Sequence, residues 1–245
     1  MRNSFRWTGR ILALMTFSSL GLASSAEASF VFNTPTNASF VGLPVNATAT
    51  FTVTSGHVMV SITNLQANPT SDIQTINGIV FTFSTGQSVG SNFTSSGTAR
   101  TVNGNTAGAY SDVSVNPTGW NLNNGVATGS NGAGIELTSI GNKGGSPTII
   151  GGPDANNAYS NANGSITGKH TFLAFTPTYD LDVATLLANA TISSVIFEFG
   201  TAAGNNVAGI AASPATVPEP SAIVLTGLGL AVVGMTRLRR KAVTA

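Results

Sequence analysis

Two alternating runs near the start of this chain constrain its fold more tightly than any other feature. Ala49-Thr-Phe-Thr-Val-Thr54 and His57-Val-Met-Val-Ser-Ile-Thr63 each carry an apolar side chain at every second position, and only Ser55-Gly56 separates them. Period-two alternation marks a strand with one buried face. A two-residue link containing glycine closes a tight hairpin. Such a link dictates the register: Thr54 opposite His57, Val53 opposite Val58, Phe51 opposite Val60 and Ala49 opposite Ile62. All six apolar partners then share one face. A slip of one residue would mix both faces, so burial itself specifies the pairing.

One hairpin cannot bury its own apolar face, and further strands are predicted to cover it. They are Gly78 to Ser84 with Ile79, Phe81 and Phe83 inward, Thr171 to Thr176, and Ser194 to Phe199 with Val195, Phe197 and Phe199 inward and Glu198 outward. Asn-Gly pairs at 77–78, 103–104, 124–125, 131–132 and 163–164 supply turns able to hold positive φ. One short helix is expected from Asp182, as its cap, through Leu186 and Leu187 to Asn189. Short strands with frequent turn signals make the body all-β, a β-sandwich or jelly-roll-like domain over residues 29–199. Its middle, 86–168, is rich in Gly, Asn and Ser and reads as long loops over short strands. Residues 200–216 read as a Gly/Ala linker.

The two ends are different in kind. Arg2, Arg6 and Arg10 precede the apolar stretch Ile11 to Leu22, and Ala26-Glu27-Ala28 then offers a small-x-small cleavage site before Ser29. That is the order of a secretory signal peptide, residues 1–28. At the other end Val217-Pro218-Glu219-Pro220 leads into an apolar segment, 221–236, and then Arg237, Arg239, Arg240 and Lys241. Its central run, Ala222 to Met235, spans about 21 Å as helix at roughly 1.5 Å per residue, short of a hydrocarbon core of about 30 Å. Extension from Pro220 to Leu238, with the arginines snorkelling, nearly closes the gap. The segment has no polar stripe, and Gly227, Gly229 and Gly234 suit a membrane helix better than one in water. A single C-terminal transmembrane helix is therefore expected. Basic residues at both ends hold those ends in the cytoplasm, and everything between is exported.

The tail resembles the sorting signal of the PEP-CTERM proteins: Pro218, Glu219 and Pro220 match the naming motif, and the apolar segment and basic cluster follow in order. The resemblance covers residues 217–241, with the signal peptide consistent with it. It implies an exosortase as processing partner and a Gram-negative bacterium as host. The implied route is an inner-membrane intermediate, then the cell surface or an extracellular matrix, with an exopolysaccharide as a further partner. It implies nothing about the chemistry of the body.

Between its ends the chain is poor in charge. Only Arg100, Lys143 and Lys169 lie in residues 29–216, outnumbered by acids, so no basic stripe exists for nucleic acid. There is no cysteine, and hence no disulfide or thiolate metal site. Gly86-Gln87-Ser88-Val89-Gly90 matches the G-x-S-x-G nucleophile elbow, with Asp112 or Asp154 and then His170 downstream. The elbow requires a helix next, and Ser91-Asn-Phe-Thr-Ser-Ser-Gly97 is poor helix material. His57 and His170 lack a third partner. Asp180-Leu181-Asp182 and Asp154-Ala155-Asn156-Asn157 offer oxygens for Ca²⁺ but match no loop spacing. Trp120, Tyr110 and Tyr159 lie in the loop-rich middle, where exposed rings would stack on sugars and packed ones would not.

A structural or adhesive surface protein, not an enzyme and without cofactor or metal, is the expectation. A carbohydrate-binding module using loop aromatics comes second, and a serine hydrolase using Ser88 third.

Overall fold

The predicted hairpin lies at the centre of the larger of two sheets. The computed structural model describes residues 28–212, apart from 105–107, 129–131, 142–146, 168–170, 188, 203 and 205. Strands β4 (Ala47–Thr54) and β5 (His57–Asn64) pair in the register that the loop length dictates, Phe51 opposite Val60 and Thr54 opposite His57. Gly56 takes φ 80° at the turn, a conformation that a side chain would strain. Ala49, Phe51, Val53, Val58, Val60 and Ile62 are fully buried.

Around this hairpin the larger sheet adds β1 (Ala28–Asn33), β7 (Phe93–Val102), β8 (Tyr110–Val115), β11 (Thr171–Asp182) and β14 (Ile210–Ala211), in the order β14-β1-β4-β5-β11-β7-β8. A second sheet runs β13 (Asn206–Ala208), β12 (Ile192–Phe199), β6 (Ile76–Phe83), β10 (Ala133–Thr138) and β9 (Asn121–Ala127). A small hairpin, β2 (Ser39–Phe40) with β3 (Leu43–Pro44), and one 3₁₀ turn, Asp72–Gln74, complete the regular structure among the described residues. All strand pairs within the sheets are antiparallel.

The inner faces of the two sheets share one apolar core. Phe51 of the larger sheet meets Phe81 of the smaller with ring centroids 5.1 Å apart, and Trp120 packs on Tyr179 at 5.1 Å. Ile79, Phe81, Phe83, Val195, Phe197 and Phe199 point into this core as their alternation requires. Central position buries the other face as well: every residue of β6 is buried.

Four expectations are corrected. The strands of the middle are not all short, since β7 runs ten residues there. Residues 200–216 are not all linker, because β13 and β14 lie within them and pair with β12 and β1. Among the described residues no helix follows Asp182: Asp182 ends β11 in the ladder with His57, and the following turn drops buried Val183 and Leu186 under the hairpin, with Val183 N–H on Gly56 O. Two Asn-Gly pairs are not turns. Asn77-Gly78 lies inside β6, and Asn124-Gly125 forms an irregularity in β9, with φ 70° at Gly125.

Ala28, beside the expected cleavage site, is the first residue of β1. Ala26, the rest of the signal peptide, Val217 to Pro220 and the cluster Arg237, Arg239, Arg240 and Lys241 lie outside the described residues. Among the described residues no helix is long and apolar enough to cross a membrane, and segment 221–236 also lies outside them.

Candidate functional site

Alternation along β4, β5, β11 and β7 gives the larger sheet an outer face rich in hydroxyl side chains, with Met59 and Asp180 paired beside them. Thr50, Ser61, Thr178 and Ser96 stand opposite one another across four successive strands. Neighbouring strands lie about 4.8 Å apart, which sets the pitch of this row. Ser96 Oγ and Thr178 Oγ1 hydrogen-bond at 2.9 Å, and Thr63 Oγ1 bonds Thr176 Oγ1 at 2.8 Å. Each such pair uses one hydroxyl proton and leaves further donor and acceptor capacity facing outward. An open groove of about 460 Å³ continues the row between Ser96, Thr98, Ser114, Asn116, Thr176 and Thr178.

Two residues beyond Thr98 along β7 lies a buried cation. Arg100 lies on the outer face by alternation with Thr98 and Ser96, yet it is only 1% exposed. The chain between β10 and β11 folds back over this end, where Ile150, Tyr159 and Ile166 pack with Val102 and Phe172 in a second apolar cluster. Arg100 donates from Nε to Asp112 Oδ1 at 2.8 Å, from Nη2 to Oδ2 at 2.7 Å, and from Nη1 to Tyr159 Oη at 2.9 Å. Tyr159 in turn donates to Gly151 O at 2.7 Å. Burial works against the guanidinium charge, but Asp112 and Tyr159 outweigh it and hold the pKa above its ordinary value. Burial likewise pushes the Tyr159 phenol up, against the pull of Arg100.

Two rings contact this cation, Tyr110 at 3.9 Å and Phe175 at 4.8 Å from centroid to guanidinium carbon. Phe175 is 61% exposed and adopts φ 60°. There β11 sets three residues, Phe175 to Pro177, against the single Gly97 of β7, because Ala174 pairs with Thr98 and Thr178 with Ser96. A bulky residue at positive φ is strained. Stacking on Arg100 is the compensating contact.

The other sheet carries a pair of buried acids. Glu198, expected to face outward into solvent, is 4% exposed, and Glu136 is 7% exposed. β10 and β12 flank β6, placing Glu136 opposite Val80 and Glu198 opposite Gly78. The bare backbone of Gly78 makes room, since a Cβ there would sit 2.4 Å from Glu198 Oε2. Asn123 Nδ2 donates to Glu136 Oε2 at 2.6 Å, and Gly204 N–H donates to the Glu198 carboxyl. Glu198 Oε2 is buried without a donor. Burial first, then the charge and hydrogen bond of Glu136, push Glu198 up to about 7, with Gly204 opposing. A carboxylate only accepts, so a proton on the pair supplies the missing donor.

The remaining candidates fall elsewhere. Trp120 and Tyr159, weighed as exposed sugar platforms, are buried, Trp120 with Nε1 donating to Pro147 O at 2.8 Å. Tyr110 is half-buried against Arg100 and Tyr159. Ser88 lies in the connection from β6 to β7, so a strand and not a helix follows the G-x-S-x-G match. His170 lies outside the described residues. His57 Nδ1 pairs with Asp182 Oδ1 at 3.0 Å on the surface, where such pairs contribute little. Asp180 and Asp182 are strand residues, not a loop. The Asp154 carboxylate is held below its ordinary pKa first by the Ser160 hydroxyl and then by Ala158 N–H, the bonds of a local turn. Sequence reasoning missed Phe175, although Thr176-Pro177 inside a strand signals a broken ladder. It also missed Glu136, which nothing local distinguishes.

These features define an all-β protein of two antiparallel sheets on one core, with a hydroxyl face on one sheet and an acid pair in the other. Comparison of the chain with protein-family models, with characterised proteins and with solved structures finds no match.

Proposed function

We propose that this chain is an exported β-sandwich protein with a structural or adhesive role at the cell surface or in the extracellular matrix. Its export and sorting would use the signal peptide and the PEP-CTERM-like tail, with an exosortase as processing partner. The observation that carries the adhesive part is the four-strand hydroxyl row Thr50, Ser61, Thr178 and Ser96. An uncharged array of donors and acceptors suits a neutral, polyhydroxylated polymer such as an exopolysaccharide. Each neutral hydrogen bond contributes only about 0.5–1.5 kcal/mol net, so adhesion would rest on repetition along the polymer and between molecules.

A second reading, a carbohydrate-binding module, is favoured by Phe175, an exposed ring beside the groove residue Thr176. One experiment addresses both. Full-length protein is incubated with exopolysaccharide isolated from the host matrix and sedimented with it. Thr178→Val with Ser96→Ala is expected to lower the bound fraction severalfold. A comparable loss for Phe175→Ala alone selects the binding module. Wild-type retention by all variants would remove the hydroxyl face from the reading.

A further inference from the structure

The C-terminal end of the described fold is a strap that joins the two sheets. Asn206–Ala208 pairs with β12, placing Asn206 opposite Glu198, Val207 opposite Phe197 and Ala208 opposite Ile196. The chain then crosses at Gly209, whose N–H bonds Val195 O at 2.8 Å and whose missing side chain admits Phe197 and Val195. It ends on the other sheet, with Ile210–Ala211 on β1 and Ala212 N–H on Val31 O at 2.8 Å. Two- and three-residue strands are weak on their own. The strap therefore depends on what fastens it at Glu198.

At that point two carboxyl groups meet. Glu198 takes the N–H of Gly204, in the turn leading into the strap, and lies over Gly78 towards Glu136. Among the described residues β6 contributes no acid or base here, β9 contributes only the amide of Asn123, and neither the turn after β12 nor β13 brings a titratable side chain. Arg100 is bound to Asp112 in the other sheet. Among the described residues Glu136 is thus the single titratable group facing Glu198, and no described cation offsets the two negative charges that full ionisation would place there. One proton neutralises one of the two carboxylates, removes the repulsion between them and needs no cavity.

We propose that Glu136 and Glu198 form a proton-held latch, in which a shared proton keeps Gly204 and the strap 206–212 docked and its loss frees the strap. With the proton in place, one carboxyl donates to the other and Gly204 stays bonded to Glu198. When the proton leaves to solvent, two buried like charges repel across Gly78. The relief available is for Glu198 to turn outward, taking Gly204 and β13 with it. Undocking frees these residues from both sheets, so alkaline conditions release the C-terminal edge of the described fold.

Hydrogen exchange on the full-length protein in detergent micelles tests the latch. Protection factors, corrected for intrinsic exchange, are compared at pH 5.5 and 8.5 for Val207, Gly209 and Ala212. Protection of the strap is expected to fall about tenfold or more at the higher pH, with the β4–β5 hairpin unchanged. Glu198→Gln, which keeps the shape without the titration, is expected to make strap protection independent of pH. Glu136→Gln serves as a second variant, expected to shrink the pH effect by removing the repelling charge. Equal strap protection at both pH values in the wild type would overturn the proposal, as would an unaltered pH effect in either variant. Loss of protection on adding EDTA at pH 5.5 would also overturn it, by assigning the site to a cation.

Discussion

Phe175 holds its ring 4.8 Å from the guanidinium carbon of Arg100 while its own backbone sits at φ 60°. The contact and the strain oppose each other, and substitutions separate them. Left-handed backbone costs a side chain about 1–2 kcal/mol, and a cation–π contact at an exposed ring contributes about 0.5–1. Phe175→Ala keeps the strain and loses the stack, so it should destabilise by up to about 1 kcal/mol. Phe175→Gly loses both and should be the more stable of the two. Denaturant melts of the pair give the order, and the reverse order would remove strain from the account.

Within the hairpin, burial alone decides cost. Phe51 is fully buried between Phe32 and Phe81, whereas Thr52 faces outward opposite Met59. Phe51→Ala should cost roughly 3–5 kcal/mol and Thr52→Ala under about 1, measured as shifts in the denaturant midpoint. Equal losses would contradict the facing of β4.

Stability should also depend on pH through Glu198. Its ordinary value is 4.5 and its folded value is raised to about 7. The folded state binds the proton more tightly, so the contribution is complete below pH 4.5, declines as pH rises to 7, and is lost above that. At about 1.4 kcal/mol per unit the change is on the order of 3 kcal/mol. Melts at half-unit steps from pH 4.5 to 8 should show this fall, and Glu198→Gln should flatten it across that window.

Gly78 and Glu198 should be coupled. A methyl group at 78 would meet Glu198 Oε2 at 2.4 Å and Leu137 O at 3.3 Å. Gly78→Ala alone should cost roughly 1–3 kcal/mol through overpacking, and markedly less when introduced into Glu198→Ala. Additive losses in the double-mutant cycle would mean that the carboxyl does not lie over Gly78.

The tail separates processing from simple anchoring. If an enzyme reads Pro218-Glu219-Pro220, the two prolines present the carboxylate with little backbone freedom left to lose. A charge-assisted contact there would contribute about 1.5–3 kcal/mol. In a pulse-chase in the native host, Glu219→Gln should accumulate as membrane-bound precursor. Neutralising Arg237, Arg239, Arg240 and Lys241 should weaken membrane retention instead. Normal maturation of Glu219→Gln would leave a plain anchor as the better account.

By itself the sequence determined what depends on neighbours in the chain. The β4–β5 register was legible because a two-residue loop and a strict alternation leave one pairing that buries Phe51, Val53, Val58 and Val60 together. The inward sets of β6 and β12 were legible for the same reason. Tertiary structure alone decided what depends on distant partners. Glu198 alternates as a solvent residue should, and its burial beside Gly78, with Glu136 and the Gly204 N–H against its carboxyl, depends on segments distant in sequence or beyond its own strand. The hydroxyl row needs Ser61, Thr178 and Ser96 in register across segments far apart in sequence. Arg100 reads as a surface cation until Tyr159 closes over it. The linker became strands because weak two- and three-residue segments gain pairing only where sheet edges are already built. Local pattern records which face a side chain takes, whereas what covers that face is set by contacts that the chain makes only after folding.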